Sequence, residues 1–166
     1  MHRLVESGQE LEVQQLLKQN IDVNERGEAG WTALLYASAQ GYPRIAKLLL
    51  DAGANPDIGN VKGITPLMYG ARYGNLEICR LLTDYGANLN LQDVHGDTAL
   101  MVAVRTENAV VAEYLIMVGA EFAIRNKNSL TALDYAHSYK QGAIAKILRR
   151  SLMNKGHNHK AEPRNS

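Results

Sequence analysis

One cysteine (Cys79), one tryptophan (Trp31), one phenylalanine and four prolines are all that 166 residues supply of those four types. A lone thiol excludes an intramolecular disulfide and is consistent with a reducing compartment, so a cytoplasmic protein is expected. The other aromatics are eight tyrosines, which suit helix packing better than a strand-rich core. Apolar runs are short, and the opening MHRLVESGQE has no signal-peptide core, so no membrane association is expected. Charge of one sign is also lacking: the net is +1, with no global field to draw in nucleic acid or anionic lipid. Residues 149–166 do carry +4, from Arg149, Arg150, Lys155, Lys160 and Arg164 against Glu162, leaving −3 for the rest. Five cations spread over that length promise only weak, salt-sensitive contact with phosphate.

Chemical motifs are missing too. There is no GxxxxGK followed by Ser or Thr, no GxGxxG, no HExxH and no CxxC. Without a phosphate cradle, a metal set or a nucleophile–base pair, no enzyme, cofactor or metal is expected. Cys79 falls in the register of Ala46 and Ala112 inside a helix and reads as a buried, inert thiol. His137 stands where Ser38 and Ala71 stand, and His157 with His159 lacks the further ligands that a metal needs.

What the chain has is a period. Thr32, Thr65, Thr98 and Thr131 recur at one unvarying interval, each followed by Ala or Pro and then Leu. A fixed spacing of about 33 residues means stacked equal supersecondary units with a long, shallow surface. Each Thr is placed as an N-cap, and Pro66 at a first helical position. Leu34, Leu67, Leu100 and Leu133, with Ala37, Gly70, Ala103 and Ala136, mark a buried helical face. Gly41 and Gly74 end that helix. A second helix follows, with Leu48–Leu49, Leu81–Leu82 and Tyr114–Leu115 as its core, and stops at Gly53, Gly86 and Gly119. The turn-rich return, such as NPDIGNVKG, is predicted to project as a hairpin-like finger. The repeats are predicted at approximately 1–26, 27–59, 60–92, 93–125 and 126–151, with 152–166 a flexible polar, basic tail. Repeat one is clipped: Gly8, Leu16 and Asn20 take the places of Gly41, Leu49 and Gly53, but no Thr opens it. That start is either a naturally clipped cap or the edge of a fragment.

TALLYA, TPLMYG, TALMVA and TALDYA, with AGAN, YGAN and VGAE, resemble the helix-opening and helix-ending motifs of the ankyrin repeat family, over residues 1–151. The resemblance implies an all-α ankyrin-repeat solenoid of stacked helix-turn-helix units with hairpin-like loops. It also implies a non-enzymatic protein-interaction module, a monomer that binds a partner protein on its concave face as adaptor or inhibitor. The alternatives are a regulatory or recognition domain of a larger enzyme or channel, or a bacterial secreted effector with a host protein target. Partner contacts in the family come from finger tips and from the ends of the first helix. Carried over by register, they fall on Trp31, Gln40, Lys62, Ile64, Arg72, Tyr73, His95, Asp97, Arg105 and Tyr139, with Tyr85 at the end of a second helix.

There are departures from the family. Its motif His is replaced by Leu35, Met68, Met101 and Asp134, so inter-repeat bonding through that side chain is expected to give way to apolar packing. Glu107 stands where Gly41 and Gly74 make the left-handed turn, a strain of roughly 1 kcal/mol unless Asn108 takes it. The fourth repeat is accordingly expected to be the loosest interior unit. Asn24, in Asp22-Val23-Asn24, resembles the asparagines that an oxygen-dependent hydroxylase modifies in such domains, although an ordinary repeat role accounts for it.

Overall fold

Each capping threonine does what its position demands. Oγ1 of Thr32, Thr65, Thr98 and Thr131 accepts the backbone N–H three residues on, at 3.3–3.4 Å. At Thr131 the cap is reciprocal, because Asp134 Oδ2 accepts the Thr131 N–H at 2.8 Å. The Thr131 hydroxyl also donates to Asp134 Oδ2, at 2.7 Å, and this bond, with that from the Thr131 N–H, holds Asp134 below the usual carboxylate range.

The computed structural model describes residues 1–19 and 21–158. Ten α-helices follow along them in pairs: α1 (His2–Glu6) with α2 (Glu10–Leu17), α3 (Ala33–Gln40) with α4 (Pro43–Asp51), α5 (Pro66–Arg72) with α6 (Leu76–Asp84), α7 (Ala99–Arg105) with α8 (Ala109–Met117), and α9 (Ala132–Ser138) with α10 (Gly142–Asn158). Successive first helices pack on one another, α1 on α3 through to α9, and the second helices form a parallel row, α2 on α4 through to α10. No strand occurs among the described residues. The all-α solenoid expected from the sequence is the architecture observed.

The core lies between the rows. Leu34, Leu67 and Leu100 from the first helices meet Leu49, Leu82 and Leu115 from the second, all essentially without solvent contact. The fingers are joined by a backbone bond at each step: Val61 N–H donates to Ala29, Val94 to Lys62 and Lys127 to His95, at 2.9–3.0 Å. Asn60, Asp93 and Asn126 brace the finger turns, each taking two backbone N–H groups on one side-chain oxygen.

Of three further expectations, two change and one holds. First, the repeats are not joined by apolar packing alone. Asn108 Nδ2 donates to the carbonyls of Ala71 (2.9 Å) and Arg72 (2.8 Å), and Gln141 Nε2 to that of Val104 (2.6 Å), so an amide opening each of these second helices satisfies carbonyls at the end of the preceding first helix. The family's motif His also survives once: His2 stands one repeat length before Leu35, and its Nε2 contacts the Glu25 carbonyl at 3.1 Å. Second, the left-handed turn falls on Glu107 as its register with Gly41 and Gly74 implies, at φ 61°, and Asn108 does not take it over, keeping φ −82° as an N-cap. Replacing Glu107 by Gly is therefore expected to raise stability by about 1 kcal/mol, read as a higher melting midpoint. Third, α10 continues to Asn158, beyond the expected end of the stack at 151, through Ser151, Leu152 and Met153, which contain no helix breaker, and with Gly156 within its last turn. Asn20 and residues 159–166, with His159, lie outside the described residues.

Candidate protein-binding face

The residue just before the Thr cap and the fourth residue of each first helix follow one another along the first-helix row, half-buried at 31, 36, 64, 130 and 135 and buried at 69, 97 and 102. In repeats two and three, Trp31, Tyr36 and Tyr69 among these positions are aromatic, and they join. Trp31 lies against Tyr36 (ring centroids 4.7 Å) and, across the repeat boundary, against Tyr69 (4.9 Å). Tyr36 extends the series to His2 at 5.8 Å, and Tyr69 to Tyr73 at 6.4 Å with the rings nearly parallel, at 11°. Aromatic pairs in such tilted or offset arrangements contribute about 0.5–1.5 kcal/mol each beyond the area that they bury. Burial pushes the phenols of Tyr36 and Tyr69 up. Trp31 is half-buried, whereas Tyr73 keeps 61% of its surface open. The ribbon thus anchors one large exposed ring on a rigid base.

Beside Tyr73 the surface changes character. Ile64, Met68, Arg72, Asp93, Val102 and Arg105 line a dimple of about 20 Å³ between repeats three and four, room for roughly one water-sized group. Arg72 is exposed and Arg105 partly so. Gln40, Lys62 and His95 are exposed, the last two on finger tips. Tyr139 is 44% exposed and stacks on Tyr135 at 6.3 Å.

Two of the carried-over residues lie elsewhere. Asp97 is only 2% exposed, so its carboxylate is not open to solvent. Its Oδ1 accepts from Asn126 Nδ2 at 2.7 Å and from the Tyr135 hydroxyl at 3.3 Å, and Oδ2 lies 3.5 Å from Arg105 Nη2. The carboxylate is buried because donors of the following repeat surround it. Tyr85 ends α6 in the second-helix row, away from the aromatic ribbon. Its hydroxyl donates to Asp51, and Lys47 reaches both groups, so it bridges repeats two and three on the far side of the stack. Conversely, reading by register passes over Tyr36 and Tyr69. Their signal is an aromatic recurring in the same place of its repeat, at positions 36, 69 and 135.

Chemistry other than binding finds little to work with. Cys79 is buried, and desolvation pushes its thiol up to about 12, leaving it protonated at neutral pH. Among the described residues no group of three or more His, Cys, Asp or Glu could hold a metal, and no helix is long and apolar enough to cross a membrane. The Asn24 side chain takes an ordinary repeat role: Oδ1 accepts the Asn55 N–H at 2.8 Å, as Asp57 does for Asn88 and Asn90 for Glu121.

Residues 1–93 and 88–160 match the model of a family described as ankyrin repeats in three copies. Among curated proteins, 63 residues are 43% identical to protein phosphatase 1 regulatory subunit 27 of Homo sapiens, a stretch covering 38% of this chain and 41% of that protein. A stretch of 49 residues is 43% identical to the mitochondrial disaggregase of Bos taurus, covering 30% of this chain and 7% of that protein. A further 38 residues are 47% identical to an NAD-capped RNA hydrolase of Homo sapiens, 23% and 8% of the two chains. The chain thus spans less than half the length of each of these relatives.

Proposed function

The chain belongs to the ankyrin-repeat family, whose repeats mark a protein–protein interaction module, and from that premise we propose that it is a non-enzymatic adaptor or inhibitor gripping a partner protein across the first-helix row of repeats two to four. The observation that carries this reading is the aromatic ribbon ending in Tyr73. Packing the stack does not require a large ring there, since of the register equivalents Gln40, Thr106 and Tyr139 two are not aromatic. Tyr, Trp and Arg are the side chains that dominate interface energetics, and Trp31, Tyr73, Arg72 and Arg105 lie along this face. A relative named as a phosphatase regulatory subunit supports a binding role.

A second reading, a recognition arm within a larger enzyme, is favoured by the two relatives named as enzymes, in which the matched stretch is under a tenth of the protein. Both readings place the partner on the same face. The test is site-specific photocrosslinking in the source cells, with a benzophenone amino acid at position 73 and, as control, at position 110 on α8. Position 73 is expected to capture one defined protein and position 110 none. Capture from position 110 alone would remove the proposed face.

A further inference from the structure

Resting on that choice of face, we propose that the bound partner segment is acidic, placing a carboxylate between Arg72 and Arg105 while its neighbour packs against Tyr73. The arginines occupy the same register position in consecutive repeats, and both line the dimple floored by Ile64, Met68 and Val102. Each ends a first helix, so a segment crossing the row meets them in succession.

The cations of this face outnumber its carboxylates, Arg72, Arg105 and Lys62 standing against Asp93 and Asp97. Among the described residues the ion pairs are Lys47–Asp51, on the second-helix row, and Arg105–Asp97. The latter is long, at 3.5 Å, and Asp97 Oδ1 is shared by Asn126 and Tyr135. Arg105 Nε is buried with no hydrogen-bond acceptor, an arrangement that costs free energy in the unbound protein. Asp93, also at the dimple, spends Oδ1 on the N–H groups of His95 and Asp97 in its own finger. Exposed Lys62 adds a further cation on the neighbouring finger tip. A carboxylate entering between two guanidinium groups gains charge-assisted hydrogen bonds, and the apolar floor beneath limits competing water. The dimple's size suits one carboxylate oxygen rather than a bulky group.

The probe is the random copolymer of glutamate and tyrosine, with the lysine–tyrosine copolymer as its charge-inverted counterpart, measured by fluorescence anisotropy at low ionic strength. The acidic copolymer is expected to bind and the basic one not. Arg72→Glu should weaken binding at least tenfold, and Arg72→Gln by a smaller factor. Arg44→Glu changes the net charge identically but lies on the second-helix row, at α4, and should leave binding within twofold. Helical melts report whether each variant is folded. Equal losses from Arg72→Glu and Arg44→Glu would mean non-specific attraction, and that result, like absence of binding or equal binding of both copolymers, overturns the proposal. A neutral or basic partner segment captured from position 73 would overturn the acidic assignment while leaving the face intact. Capture from position 110 alone removes both.

Discussion

Tyr73→Ala is expected to weaken binding of the captured partner about 30-fold, or about 2 kcal/mol, while shifting the helical melt little. The ring rests on Tyr69 from one side and is otherwise open, so its removal from the free protein exposes little new apolar surface. Substitutions at such positions usually change stability by no more than about 0.5 kcal/mol. Trp31→Ala should behave differently. Trp31 is wedged between Tyr36 and Tyr69, so truncation loses both ring contacts and the bridge between repeats two and three. We expect a stability loss of about 2–3 kcal/mol together with the loss of binding. The pair of variants therefore separates the anchor from its base, with binding and melting read on the same samples. Wild-type affinity for Tyr73→Ala would sink the assignment of this ring as a contact, whatever Trp31→Ala does.

How far the sequence alone reaches is clearest at positions that share a register. Where a residue's role depends on its own repeat, the period reports it faithfully. The four threonines cap, Leu34, Leu67 and Leu100 are buried, and Gly41 and Gly74 turn left-handed. Where the role depends on a partner one repeat away, the register misleads. Asp97 shares its place with Trp31, Ile64 and Leu130, all half-buried at the finger base, and only the later Asn126 and Tyr135 draw its carboxylate inward. Those donors lie 29 and 38 residues on, beyond any local pattern. Tyr85 was legible as an aromatic at the end of a second helix, but not as a hydroxyl reaching Asp51 of the preceding repeat. The same limit hid the amide bonds of Asn108 and Gln141. His2 was hidden otherwise: the count back from Leu35 identifies it, but the register place of the threonine that announces the motif lies outside residues 1–166.

Asp97→Ala is expected to be the most damaging single substitution outside the apolar core, at about 3 kcal/mol. The alanine takes one acceptor from the buried Asn126 carboxamide, whose Nδ2 keeps only the Tyr135 oxygen, and removes both the acceptor of the Tyr135 hydroxyl and the counter-charge of Arg105. Leaving buried donors unsatisfied costs about 1–3 kcal/mol each, and unpairing a largely buried ion more, although the exposed part of Arg105 reduces that cost. The losses at Asn126 and Tyr135 fall at the boundary between repeats four and five. In a one-dimensional stack the terms are nearest-neighbour, so weakening one boundary uncouples what lies beyond it. Hydrogen exchange should therefore show α9 and α10 losing protection first, while α3 to α6 remain protected, and denaturant unfolding should broaden or split. Asp97→Asn retains an acceptor oxygen for Asn126 and should cost less than half as much. Because it also removes the carboxylate that competes for Arg105, it should leave binding of the acidic copolymer unweakened. A stability loss below about 1 kcal/mol for Asp97→Ala, with cooperativity retained, would mean that the carboxylate is not what ties the fifth repeat to the fourth.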